Sequence, residues 1–250
     1  MCMQKFIFLI TSIVAILVNV SDIYKLWGGK SIAQLSDTTA TSIITPIGAT
    51  FAIWGIIFLS WLIIGVANVK NSNLLNKKAI NYHICSMVSI CLWVVAFTLG
   101  NTFLASILLF AILFFNVLVS QNMPSKIKHF YLIYTSWTTI ASVISFTILL
   151  QYNLGIKSIL GIQNSIIALL VLGVGTVIFG FLARYFESIT PLLVGAWAYV
   201  GIFRVLPMVQ SDTIIKNGAL IYAIAMLVLS SITIYQNKKL ITPKFFGTKS

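Results

Sequence analysis

Acidic side chains are almost missing from this sequence: Asp22, Asp37, Glu187 and Asp212 are the only four in 250 residues. All four fall at the ends of apolar runs or between them. No carboxylate pair is therefore held inside a run, and general acid–base chemistry or a proton-relay pump lacks its working parts. Histidine is as scarce. His83 and His129 lie on different runs with no second ligand at i+4, and Cys2, Cys85 and Cys91 include no Cys-x-x-Cys pair, so nothing has the spacing of a metal site. Cys85 and Cys91 are expected on different faces of one helix, which excludes a bridge between them, and both are expected to be buried thiols. The two histidines are expected near lipid headgroups. A phosphate-cradling glycine loop and a nucleophile elbow are also absent. These absences point away from an enzyme, with no catalytic residue and no metal ligand to name.

What is present is apolar surface. Aliphatic, aromatic and cysteine residues make up 59% of the chain, charged residues 8%, and the mean hydropathy is +1.03. A soluble domain cannot bury that much, so the bilayer must serve as solvent. Apolar runs bounded by charged or turn-forming residues occur at 6–24, 46–69, 80–100, 102–120, 130–151, 163–183, 189–206 and 213–235. The first follows Lys5 in the manner of a signal peptide but lacks a clear small-x-small cleavage site, so it is read as a span. The division at Gly100-Asn101 is the weakest, because only a tight-turn dipeptide breaks a run of about 40 residues where one crossing takes about 20. The runs are continuous, without the period-two alternation of a membrane barrel. The expected fold is all-α, a polytopic transmembrane helical bundle of about eight spans forming a single integral membrane domain over residues 1–250.

Eight spans put Lys5, Lys70, Lys77, Lys78, Lys126, Lys128, Arg184, Lys238, Lys239, Lys244 and Lys249 on one side, and Lys25, Lys30, Lys157, Arg204 and Lys216 on the other. The richer side should be cytoplasmic, giving N-in and C-in termini. The formal charge of +12 then reflects topology and attraction to anionic lipid, with no nucleic-acid partner. Arg204, at a span end, is expected to be held by carbonyls or headgroups. The glycines of Leu172–Gly180 are expected to admit a neighbouring helix closely.

The remaining pattern is aromatic. In Thr45–Trp61, TPIGATFAIWGIIFLSW, Phe51, Trp54, Phe58 and Trp61 follow a 3-4-3 spacing that aligns them on one helix face, and Pro46 suits a first turn. Further stripes run through Trp93, Phe97 and Asn101, through Tyr134, Trp137, Ala141 and Ser145, and through Trp197, Gly201 and Arg204. Such stripes serve packing or interfacial anchoring as readily as ligand contact. An indole N–H buried in a span nevertheless needs a partner, which a ligand can supply.

TPIGATFAIWGIIF resembles the signature of the tryptophan-rich sensory proteins, the TspO/MBR family related to the translocator protein and peripheral benzodiazepine receptor. CLWVVAFTLGN (Cys91–Asn101), YLIYTSWTTIASVISF (Tyr131–Phe146) and VGAWAYVGIF (Val194–Phe203) resemble later segments of that family in the same order. The likeness spans about 45–205, in the manner of the longer bacterial members. Phe58 stands where the family has Tyr, and Ser145 where it has Asn. The first span and the last ones read as additions to the five-span form.

The resemblance implies a protein of the bacterial cytoplasmic (inner) membrane that binds a hydrophobic planar molecule, tetrapyrrole- or sterol-like. It implies ligand contacts at Phe51, Trp54, Phe58, Trp93, Asn101, Tyr134, Trp137 and Trp197. No cofactor is required, and a bound tetrapyrrole or lipid is left open. Membrane lipids are partners, and a homodimer is left open. A sensor or regulator is the leading function, with transport or export of a hydrophobic metabolite as the alternative, and tetrapyrrole chemistry or a structural role behind both. A transporter should show internal repeats, and none is evident. Trp54 and Trp137 are expected to face each other across a ligand cavity.

Overall fold

The computed structural model describes residues 4–24, 26, 42–71, 74–155, 164–204 and 213–236. Among them the chain is predominantly helical, with no strand. The eight α-helices are α1 (Gln4–Ser21), α2 (Ile53–Lys70, led in by a 3-10 segment Gly48–Ala52), α3 (Lys77–Thr98), α4 (Thr102–Gln121), α5 (Ser125–Ile148, ending in a wider turn Leu149–Asn153), α6 (Asn164–Tyr185), α7 (Thr190–Phe203) and α8 (Thr213–Gln236).

The breaks between helices follow local chemistry. Asn76 caps α3 by accepting from the Ala79 N–H at 2.8 Å. Gly100, at φ +77°, turns the chain between α3 and α4, and Asn101 then caps α4 by accepting from the Leu104 N–H at 3.0 Å. The weak boundary in the sequence is therefore real, because a left-handed glycine followed by a capping asparagine reverses the helix in three residues. Pro191 occupies the first turn of α7, where a missing N–H costs nothing.

Among the described residues six helices are long and apolar enough to cross a membrane, while Lys5–Ser21 and Thr190–Phe203 are shorter. The 14 residues of α7 extend about 21 Å, less than the roughly 30 Å of a hydrocarbon core. The expected span 189–206 thus ends as a helix at Phe203, and its last two residues lie outside the described ones.

Helices α1–α5 pack as one group: α1 lies against α2 and α3, α3 against α4, α4 against α5, and α2 against α5. Helices α6 and α7 pack on α5, and α8 lies against α6 and α7. Helix α5 joins the two groups and is accordingly the most enclosed of the long helices, 78% buried over an apolar stretch of 18 residues against 28% for α8. Burial inside protein lets it carry polar residues. Ser136, Thr138 and Thr139 donate to the carbonyls of Leu132, Tyr134 and Thr135 at 2.6, 3.0 and 2.9 Å, which satisfies their hydroxyls within the helix. Helices α2, α6 and α8 turn Ile56, Leu59, Val174, Val177, Ile221 and Ile224 outward, as a lipid-facing surface requires.

The structure places several of the side chains named from the sequence, and His83 and the cysteines differ from expectation. His83 is fully buried rather than interfacial, because the face of α3 that carries it packs on α1 and stacks the imidazole on Phe8, with ring centroids 3.6 Å apart. Cys85 is exposed and Cys91 half-buried, both free, so neither is a fully buried thiol. Cys85 lies two residues from His83 and therefore on another face of the helix. Arg204 is exposed at the end of α7, and its side chain makes no hydrogen bond or ion pair among the described residues. Of the α6 glycines, Gly173 and Gly175 lie under the hydroxyls of Tyr222 and Tyr199, while Gly180 has open space beside it.

Candidate functional site

A cavity of about 500 Å³ lies inside the α1–α5 group. Each helix contributes one face. From α3 come Ile90, Trp93 and Phe97, and from α4 Thr102, Ala105, Ser106 and Leu109. From α5 come Trp137, Thr138, Ile140, Ala141, Ile144, Ser145 and Ile148. All three sets follow the three-and-four spacing that places residues on one side of a helix. The opening motif supplies the fourth wall, with Thr45, Pro46, Gly48, Phe51, Trp54 and Phe58, and the end of α1 supplies Asn19, Val20 and Asp22. These positions share one half of the bundle, where α1 and α3 end and α4 begins.

The opposite half is filled by a buried hydrogen-bonded network. Ser12 Oγ lies 3.0 Å from His83 Nε2, and His83 Nδ1 lies 3.2 Å from the Tyr131 hydroxyl. Asn116 Oδ1 accepts from Tyr131 at 3.0 Å and from Ser86 at 2.7 Å, and Asn116 Nδ2 donates to Thr138 Oγ1 at 3.2 Å. Ser120 and Thr135 pair at 2.9 Å beside it. The network links α1, α3, α4 and α5, and Thr138 belongs to both it and the cavity wall.

The structure brings Phe51, Trp54, Phe58, Trp93 and Trp137 together around the cavity. Phe51 meets Trp137 edge to face at 5.5 Å, Trp54 lies 5.6 Å from Phe58, and Trp93 stacks on Phe97 at 5.3 Å. Such offset and perpendicular arrangements are those aromatic quadrupoles favour. The Trp93 Nε1 is buried without a hydrogen-bond partner among the described residues. Trp54 and Trp137 line the same space.

The other candidates lie elsewhere. Tyr134 is fully buried one layer behind the wall, between Trp61 at 4.7 Å and Trp54 at 6.2 Å. Trp61, the fourth member of the opening stripe, is likewise inside the core and not on the cavity. Asn101 is exposed and serves as the α4 cap, since it ends the turn rather than continuing the α3 face. Trp197 is 49% exposed and works from outside the cavity. Its Nε1 donates to the Thr50 carbonyl at 3.0 Å, while the Ile47 N–H donates to the Gly201 carbonyl at 3.2 Å. The end of α7 thus clamps Ile47–Thr50, the segment between cavity residues Pro46 and Phe51.

Sequence reasoning passed over Asn19, Val20 and Asp22, because nothing along the chain shows that the end of α1 closes this space. It also passed over the His83 network, although His83, Ser86, Ile90 and Phe97 keep helical spacing from the network to the cavity. Among the described residues no three His, Cys, Asp or Glu side chains come together as a metal site would need.

No curated protein and no solved structure matches the chain. The model of the TSPO-like protein family does match, over residues 5–232, a stretch wider than the 45–205 of the sequence motifs, and it takes in α1, which walls the cavity and completes the network. The apolar helices and this match make the chain an integral membrane protein that belongs to the TSPO-like family.

Proposed function

We propose that the protein is a membrane-embedded sensor or regulator that takes a hydrophobic planar molecule, tetrapyrrole- or sterol-like, into the aromatic cavity. One observation carries this reading: an aromatic-walled space in one half of the bundle is stopped in the other half by a buried hydrogen-bonded network. A conduit needs a path through both halves, whereas a receptor needs a floor, and Thr138 provides one. The volume falls within the roughly 300–1,000 Å³ of small-molecule sites. Each aromatic contact adds about 0.5–1.5 kcal/mol beyond area burial, so several rings support useful affinity without charge pairing.

Protoporphyrin and a fluorescent sterol titrated into detergent-purified protein should give saturable changes in tryptophan emission. Trp137→Phe should weaken binding by about two- to tenfold, up to the worth of one aromatic contact, while leaving the thermal midpoint nearly unchanged. Unsaturable quenching, or unchanged affinity, would reduce the aromatic wall to packing.

We further propose that the chain crosses a bacterial cytoplasmic membrane eight times with both termini inside. Lys5, Lys70, Lys77, Lys78, Lys126, Lys128 and Arg184 gather at the bundle end away from the cavity, which supports that orientation. Reporter fusions at Ser250 and beside Lys157 should then report opposite sides, and agreement between them would overturn the assignment.

A further inference from the structure

Helix α7 leaves one face uncovered. Leu193, Trp197, Val200 and Arg204 follow a 4-3-4 spacing that lines them along a single side of the helix. Leu193 is 44% and Trp197 49% exposed, and Arg204 is exposed, whereas the rest of α7 packs on α5, α6, α8 and the lead-in Gly48–Ala52. The Trp197 ring is held in this position by its Nε1 donation to the Thr50 carbonyl. Lys216 reaches the same end from the first turn of α8, with its ammonium 6.0 Å from the centre of the Phe203 ring, the residue before Arg204. The stripe therefore runs from apolar to doubly basic.

Two magnitudes say what covers it. From Leu193 to Arg204 the helix rises about 16 Å, and one leaflet of hydrocarbon is about 15 Å deep. Among the described basic residues, those other than Arg204 and Lys216 gather at the opposite end of the bundle, so a cation pair here opposes the charge asymmetry that orients the chain. Neither side chain has a hydrogen bond or ion pair among the described residues, and an outside counter-charge is called for.

We propose that this face of α7 binds one anionic phospholipid, with an acyl chain along Leu193, Trp197 and Val200 and the headgroup phosphate taken by Arg204 and Lys216. A guanidinium matches phosphate geometry with paired N–H donors, and the lysine adds a point charge. A zwitterionic headgroup brings its own ammonium to the same corner and loses the advantage. Lipid packed on Trp197 also holds α7 against Ile47–Thr50, so occupancy stabilises the clamp. The site is independent of what enters the cavity.

The experiment places the full-length protein in phosphatidylcholine nanodiscs with increasing fractions of acyl-brominated phosphatidylglycerol or acyl-brominated phosphatidylcholine. Tryptophan quenching is the readout, and its difference between wild type and Trp197→Phe isolates Trp197. The brominated phosphatidylglycerol should quench Trp197 at a mole fraction about five- to thirtyfold lower, since each cation near the surface contributes about fivefold. Arg204→Gln combined with Lys216→Gln should make the two lipids equal, and Arg204→Lys should keep most of the preference. Should the double variant fail to fold, each single substitution is expected to reduce the preference about fivefold. Unbrominated phosphatidylglycerol should raise the thermal midpoint of wild type and not that of the double variant. Equal quenching of wild type by both lipids would mean ordinary acyl packing and overturn the proposal. So would a Trp197 that neither lipid quenches, or a preference or midpoint rise that survives the double substitution.

Discussion

Replacing Asn116 by Leu is expected to lower stability by about 2 kcal/mol while keeping the number and branching of side-chain heavy atoms. Asn116 is fully buried and is the hub of the network, accepting from Ser86 and Tyr131 and donating to Thr138. A leucine removes all three bonds and leaves the Ser86 hydroxyl without its acceptor. An orphaned buried group costs about 1–3 kcal/mol in soluble proteins, but a single interhelical bond in a membrane protein averages nearer 0.6. Three such bonds give a sum close to 2. Phe114→Leu, on the same helix but 59% exposed, should change stability by no more than about 0.5 kcal/mol. Thermal unfolding in detergent compares the two. Equal midpoints would mean that the network is incidental to the fold.

Gly201→Ala is expected to damage stability and ligand binding together. A Cβ at this position would collide with the Thr50 side chain and meet Pro46 Cβ at 3.0 Å. Neither neighbour yields easily, since one is β-branched and the other a ring. Overpacking of this kind costs about 1–3 kcal/mol, and the strain can relax only by moving the Thr45–Phe51 wall of the cavity. Gly55→Ala supplies the contrast. It has nothing within 4 Å of its added carbon and sits in α2, where alanine is favoured by up to about 1 kcal/mol. Affinity for the hydrophobic probe should fall in Gly201→Ala and hold in Gly55→Ala. A Gly201→Ala protein with normal affinity would separate α7 from the cavity and leave Trp197 as a surface residue.

Helices were legible in the sequence because apolar continuity announces them: every one of the eight apolar runs carries a helix, six of them long enough to cross a membrane, and even Gly100-Asn101 turned where a left-handed glycine and a cap belong. Part of the site was legible for a related reason. Phe51, Trp54 and Phe58 keep helical spacing, so one observed face fixes them all. Depth and partner were not legible. Whether His83 meets lipid or Phe8 depends on which neighbour covers that face of α3, and hydropathy along a single chain does not encode the neighbour. Trp197 shows the same limit. Its stripe with Gly201 was real, but the stripe faces the backbone of Ile47–Thr50 instead of the cavity. Asp22 looked like a loop residue because it ends a run, and only the folding of α1 against α2 and α3 turns that end into a cavity wall.

The central claim is that the space between Trp54, Trp93 and Trp137 is a binding site and not a packing defect. Its most direct measurement is an experimental structure of the protein saturated with one of the planar probes that titrates it. The account predicts ligand density within the cavity, in contact with those three rings and above Thr138, with the Ser12–His83–Tyr131–Asn116 network unchanged beneath it. Ligand density only on the lipid-facing surface of the helices, with the cavity collapsed onto its own side chains, would contradict it.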